Sequence, residues 1–491
     1  MELAYQTIKN DCVQTVAKGQ TVVRTDVDVT DRGGVGKLLS VAVDALVTSV
    51  EAVAGSARVC GRVVYKVLYL DAEGKIGGLD YFAEFDEDVE DEAIVVGATR
   101  ATAGILDSDC TVSGGVMHLE AVCEVNLVQV VTHQAEVVTA APCECLQETV
   151  GTVTLAPIAE SNFEVVEEVE SRASIDRVLI FDAKALHTAT RQGVDSTTVE
   201  GKIYAEVVYR TEGEIRSQAL VFDFAEQLDV EGDVDLYVSL KQAKLVLTGE
   251  DDNVVLRVEA VLSVKGNRLE HNECTAVLDA FEPDCDMRIA CDSFVCRRYE
   301  GLVTRSERVS QKVDEDELDL SAGVVAATTS RVNLANVIAS DGQITAEGLV
   351  VVSVLYRAQE GGLEAGEVEL PFSVTFAAPN VNEGCTLTGE AIALGANVGR
   401  QGVVECDLLF AVKCYRPYAV RYVTAIEATP ASRHDAVMSV YFAPADATVW
   451  DIARAVNVSP SRLLEQNPAL ADFAESGAMR RVVVFRHRDL D

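Results

Sequence analysis

For most of its length the chain alternates. Short runs rich in valine, isoleucine and tyrosine are interleaved with polar residues at a period of two, the pattern of strands with one packed face. In Gly61-Arg-Val-Val-Tyr-Lys-Val-Leu-Tyr69, the residues Val63, Tyr65, Val67 and Tyr69 fall on one side, and Arg62, Lys66 and Leu70 on the other. This predicts a strand packed on one face and mostly wet on the other. Helical spacing is weak until about residue 430. So many short strands are best accommodated in antiparallel, sandwich-like units.

The pattern recurs. Gly201-Lys-Ile-Tyr-Ala-Glu-Val-Val-Tyr209 and Gly348-Leu-Val-Val-Val-Ser-Val-Leu-Tyr356 repeat the first segment, with glycine eight residues before tyrosine each time. Each is followed by a glycine-containing loop and a second, phenylalanine-bearing strand (Phe82 and Phe85; Phe222 and Phe224; Phe372 and Phe376), which reads as a hairpin. Glu120, Glu259 and Glu405 follow the tyrosines by 51, 50 and 49 residues. Upstream, Lys37 and Arg177 precede their glycines by 24 residues, whereas Arg331 precedes Gly348 by 17, which suggests a hairpin shortened by seven residues in the third copy. A period near 140 residues is a domain duplication and too long for a solenoid repeat. The expected fold is mainly β: three tandem antiparallel β-rich repeats at 1–145, 146–287 and 288–428, then a small C-terminal α/β module at 436–488.

In that module the period changes. A strand over Val437–Phe442 and a turn over Pro444–Ala447 lead into Thr448-Val-Trp-Asp-Ile-Ala-Arg-Ala-Val456, where Val449, Ile452, Ala453 and Val456 share a helical face. Ser459 is a good N-cap with Pro460 at the first helical position, Leu463 and Leu464 point inward, and Asn467-Pro468 ends that helix. Arg481–Phe485 is a final strand, and Thr429-Pro-Ala-Ser432 reads as the linker before the module. Strand, two short helices and strand in this order, with Val440-Tyr-Phe, Thr448-Val-Trp-Asp-Ile-Ala453 and Asn467-Pro468, resemble the LysM module. The Gly-Asp-Thr turn usual in that family is Asp446-Ala447-Thr448 here, which weakens the glycan-binding pattern.

Tandem β units followed by one such module resemble the SPOCS-domain plus LysM proteins, the SipL-type spore-coat morphogenetic family. The resemblance covers nearly the whole chain. It implies a non-enzymatic assembly protein in the cytoplasm of the mother cell, at the forespore surface. Its LysM module would dock to a protein partner, the ATPase that polymerises as the coat basement layer. Thr448, Trp450, Asp451 and Asn467 are the residues expected near that contact. Trp450 is the only tryptophan in the chain, and aromatic side chains dominate interface energetics; burial in the module's own core is the equally open reading. A peptidoglycan-binding LysM protein, with weak glycan binding, is the alternative.

Charge narrows the partners. With 41 basic and 79 acidic residues the formal net charge is −38. Such a chain repels nucleic-acid phosphates and anionic lipid, so neither nucleic acid nor membrane insertion is expected. From His434 to Asp491 there are six basic and eight acidic residues, a net of −2, which leaves −36 on the rest. A near-neutral module on so acidic a body suits docking on an acidic surface, with Arg480, Arg481, Arg486, Arg488 and His487 clustered at its end. Met1–Gln20 lacks the layout of a signal peptide, and no apolar run approaches the ~20 residues that span a bilayer.

Little in the sequence points to catalysis. There is no phosphate-binding loop of the G-x₄-G-K-[ST] kind and no G-x-S-x-G elbow. The six histidines are isolated, and nothing selects Cys123 or Cys291 as a nucleophile. The 13 cysteines are odd in number and scattered, which favours reduced thiols. The Cys143/Cys145 pair and the Cys285, Cys291, Cys296 group lack the second ligand pair that zinc requires, so no metal or cofactor is expected. The acidic runs Phe85–Glu92 and Val313–Asp319 lack the calcium-loop pattern and read as solvated loops.

Overall fold

The computed structural model describes residues 2–485 apart from 97–98, 172, 250–253, 284, 314–317, 319, 321–322, 400–401, 431–436 and 472–479. Part of the linker, His434 and the Arg486–Arg488 cluster therefore lie outside the described residues, as does most of the second acidic run.

The chain is mainly β, and the same six-strand plan occurs three times. The first unit comprises β1 (Ala4–Asp28), β2 (Lys37–Val53), β3 (Ser56–Leu70), β4 (Ile76–Glu90), β5 (Thr99–Ser113) and β6 (Val116–Ala140). The second comprises β7 (Glu144–Glu170), β8 (Arg177–Gln192), β9 (Thr197–Thr211), β10 (Glu214–Leu228), β11 (Val234–Thr248) and β12 (Val255–Phe281). The third comprises β13 (Cys285–Lys312), β14 (Val324–Ser340), β15 (Gln343–Arg357), β16 (Leu363–Ala377), β17 (Thr386–Val398) and β18 (Val403–Pro430). In each unit the last strand lies between the first and the fifth, and the second to fourth form a meander, giving two three-stranded antiparallel sheets. Apolar side chains from both sheets meet in a core, as Val63, Tyr65, Val67, Leu119 and Val125 do in the first unit.

The Gly–Tyr segments are the central strands of the meanders. Gly61, Gly201 and Gly348 pair directly with Phe85, Phe224 and Phe372 of the next strand. A Cβ on Gly201 would meet the Phe224 ring at 2.3 Å and the Leu186 carbonyl oxygen at 2.3 Å, and Gly61 and Gly348 are as tightly covered. The glycine is kept because a phenylalanine ring lies on its backbone.

Three expectations are corrected. The third copy is not shortened. Val324 pairs with Tyr356 at the start of β14 and stands 24 residues before Gly348, the spacing of Lys37 and Arg177 from their glycines. Arg331 instead matches Asp44 and Lys184, all 17 residues before the glycine. The run Phe85–Glu90 is the end of strand β4 rather than a loop: Phe85 is buried in the core, and Asp86 bridges to Arg58 on β3.

The outer face of the Gly–Tyr strands is only partly wet: Arg62 is exposed at its start, but farther along the three units pack together through it. Leu68, Val208 and Leu355, each seven residues after the repeat glycine, are fully buried and meet Leu39, Leu179, Ile180 and Ala326 in one apolar hub drawn from all three units. A second hub forms where the long first and last strands run past the fifth as two-stranded ribbons. There Val138, Val277 and Val423, each 18 residues after the repeated glutamate, are fully buried with Ala280 and Ile426. Next to them, Ile8, Val137, Ala276, Cys296 and Tyr422 close the same junction.

Candidate docking site

The C-terminal module contains β19 (Met438–Ala443), helices α1 (Val449–Val456) and α2 (Pro460–Gln466), and β20 (Arg480–Phe485), which pairs antiparallel with β19. Its core of Ala443, Ile452, Ala453, Val456, Leu463, Val482 and Val484 lies between the helices and one face of the two-stranded ribbon. Each side chain singled out in the sequence has a partner within the chain. Thr448 caps α1: its hydroxyl accepts from the Asp451 amide at 3.1 Å, while the Asp451 carboxylate accepts from the Thr448 amide at 2.9 Å. The Thr448 hydroxyl also donates to that carboxylate at 2.7 Å, and this bond, with the one from the Thr448 amide, holds the Asp451 carboxyl below its ordinary range. The Asn467 amide donates to the Val483 carbonyl at 2.8 Å and accepts from its N–H at 3.0 Å, so it pairs with the outer edge of β20 as a strand would. Gln466 treats Phe485 in the same way.

Trp450 is half-buried against the body. Its indole donates to Asp279 near the end of β12 at 2.8 Å, and its ring meets Phe281 edge-on with centroids 5.0 Å apart. Arg454, one turn on, is ion-paired with the same Asp279 carboxylate. The α1 face therefore rests on the tip of the second ribbon, and Phe281 belongs to the module's own apolar cluster. Thr448, Trp450 and Asp451 share one helical turn; Asn467, which ends α2, lies across the module against the edge of β20.

The opposite face of the module has a different character. Met438, Val440 and Phe442 alternate along β19 and are 55%, 45% and 62% exposed; Phe485, the cross-strand neighbour of Met438, is 51% exposed. Arg481, exposed, stands opposite Phe442. The sequence held this alternation, but both sides of β19 carry apolar residues, so the outward face could not be chosen before the helices were placed.

Elsewhere the strongest chemical groups lie between the units, where no motif in the sequence points to them. Lys413 is buried and donates to Asp235 at 2.6 Å and to the Leu236 carbonyl at 2.6 Å, and Tyr415 donates to Asp235 at 2.7 Å. Lys413 and Arg100 lie over the Tyr237 ring, 3.0 and 3.2 Å from its centroid, so residues of all three units meet there. Five residues after each repeat glycine stand Lys66, Glu206 and Ser353. Lys66 is paired with Asp182 of the second unit, and Ser353 bonds Ser40 of the first at 2.8 Å. Burial, reinforced by Asp182, pushes Glu206 up to about 8, so it holds its proton at neutral pH. Burial, reinforced by Lys413, pushes His187 down to about 4; its Nε2–H donates to the Ala189 carbonyl at 2.9 Å.

The remaining sequence candidates are dispersed. Cys123 lies in the first core, where burial pushes its thiol up to about 11, and Cys291 is exposed on β13. His118 and His271 pair with Asp26 and Asp233 on the surface. Among the described residues no helix is long and apolar enough to cross a membrane. No family model matches the chain, and no curated protein or solved structure matches it either.

Proposed function

We propose that this chain is a non-enzymatic assembly protein: a rigid acidic body that carries a C-terminal module for docking to another protein. The observation that carries the reading is the use made of the chain's buried and half-buried ionic groups. Lys413–Asp235 and Lys66–Asp182 each join one unit to another, so these groups serve the fusion of three units into one body. The module adds a small fold held to that body by one face, with an apolar face turned outward. The resemblance to the SPOCS-domain plus LysM family supplies the finer reading, a spore-coat morphogenetic role on the mother-cell side of the forespore with the coat-basement ATPase as partner.

The test uses the full-length protein. It is incubated with purified peptidoglycan and pelleted, and in parallel cross-linked in a lysate of sporulating cells, with captured proteins identified by mass spectrometry. One dominant protein partner and no saturable pelleting is the expected result. Saturable retention on peptidoglycan with no protein captured would replace the assembly reading with the wall-binding one.

A further inference from the structure

We propose that Cys143 and Cys145 are a thiol–disulfide exchange pair beside the seat of the C-terminal module, that a small cationic or neutral disulfide oxidises them, and that the bridge so formed loosens the module from the body. The inference goes beyond the assembly reading and stands whatever the module docks to. The two thiols are partly exposed, and their Sγ atoms lie 3.9 Å apart. The Cys145 thiol is turned back along the chain and donates to the Cys143 carbonyl at 3.4 Å. The chain bends at Pro142 and Cys143, just before β7 begins. A recess of about 530 Å³, lined by Pro142, Glu282, Ile426, Glu427 and Ala428, opens beside the pair. Its two carboxylates, with Glu144 between the cysteines, favour an oxidant that carries no negative charge.

The exchange runs in two steps. Burial, reinforced by the neighbouring Cys145 charge, pushes the Cys143 thiol up to about 12, so the first attack falls to Cys145. The Cys145 thiolate attacks one sulfur of the small disulfide, whose S–S bond breaks and releases one thiol. The mixed disulfide left on Cys145 carries no charge there, so its repulsion of a Cys143 thiolate ends. The Cys143 thiolate then attacks the Cys145 sulfur, and the second thiol leaves. Two protein thiols lose two electrons and two protons, and the small disulfide gains them as two thiols. Two residues of chain across a strand position such as Glu144 span about 6.6 Å, whereas the Cα atoms of a disulfide are usually about 5.5–6 Å apart. Closing the bridge therefore shortens the chain across Glu144. Glu144 pairs with Phe281, and Cys145 with Ala280, at the end of β12. Phe281 is the ring that Trp450 meets, and Asp279 holds both Trp450 and Arg454. Pulling Glu144 away from Phe281 disturbs the surface on which the module rests.

Full-length protein is incubated with cystamine, its remaining thiols are blocked with iodoacetamide, and the digest is read by mass spectrometry. The peptide carrying Cys143 and Cys145 should lose the mass of two hydrogens and take up no iodoacetamide. Cys143→Ser should instead stop at a cysteamine adduct on Cys145. Bridge formation should shift the emission of Trp450, the only tryptophan, to the red. The shift should be absent from the Cys143→Ser, Cys145→Ser double variant, whose thermal midpoint confirms folding. Glutathione disulfide, an anion, should react at least tenfold more slowly than cystamine at low salt, and the gap should close as salt rises. A protein that keeps both thiols, or that stops at the adduct without Cys143→Ser, overturns the exchange pair. A bridge that leaves Trp450 emission unchanged overturns its link to the module, and equal rates with the two disulfides overturn the charge selection.

Discussion

The body and the module are joined within themselves by different means. The three β units bury charged and polar side chains against one another, and apolar hubs that draw one equivalent position from each unit seal both ends of the junction. The module packs a small apolar core onto Phe281 and Met287 of the body, and Trp450 and Arg454 bond the body's Asp279. Buried ion pairs contribute little net stability, but breaking one leaves an uncompensated charge and costs much. Units joined that way should separate only when the whole body unfolds. A module joined through a half-exposed contact can open by itself.

The largest expected effect comes from Asp235→Ala. It strands the buried Lys413 ammonium between the second and third units and should destabilise the body by about 3–5 kcal/mol. Denaturant unfolding followed by far-ultraviolet circular dichroism measures it, and a loss below about 1 kcal/mol would show that the junction tolerates an unpaired charge. Next, Gly201→Ala drives a methyl into the Phe224 ring and the Leu186 carbonyl oxygen and should cost about 1–3 kcal/mol. Adding Phe224→Leu should recover part of that loss, because the ring is one of the two obstacles.

The third effect depends on pH. Glu206 has a folded value near 8, raised above its unfolded value. The stability attached to its proton is complete below about 4.5 and is lost as pH rises through 8. His187 has a folded value near 4, lowered below its unfolded value. The unfolded chain therefore gains the proton first, and stability is lost as pH falls from about 6.5 to 4. Between about pH 4.5 and 6.5 the two slopes oppose each other; above 6.5 the Glu206 slope stands alone, at most about 1.4 kcal/mol per pH unit. Glu206→Gln should flatten the fall between pH 6.5 and 8 and expose the acid-side loss. Thermal midpoints of both proteins across pH 4–9 check this, and parallel curves would contradict it.

The smallest effect is at the module contact. Asp279→Ala removes the acceptor shared by Trp450 and Arg454 and should cost the body less than about 1 kcal/mol. The fluorescence of Trp450, the only tryptophan, should shift to the red while the unfolding midpoint of the β body stays in place.

Strand type and the existence of repeated hairpins were legible because both are local: alternation reports a packed face, and glycine opposite phenylalanine lies within one hairpin. What failed was non-local. Arg331 is chemically like Lys37 and Arg177, but strand pairing aligns it with Asp44 and Lys184. Lys66 looked like a solvent residue because its covering surface, Asp182 and the Phe181 carbonyl, is 115 residues away in sequence. The position five residues after the repeat glycine carries lysine, glutamate and serine, so the very residues that make the three units non-interchangeable disturb the repeat pattern. In the module, the alternation of Met438, Val440 and Phe442 was visible, but the helices decide which side of β19 faces out.

Native-state hydrogen exchange on the full-length protein tests the contrast between body and module most directly. The account predicts one common opening free energy for the central strands β3, β9 and β15 and for the ribbon segments around Val138, Val277 and Val423. It predicts a lower, separate one for α1 and β19. Three distinct opening energies for the three β units, or a module that exchanges only with the body, would contradict it.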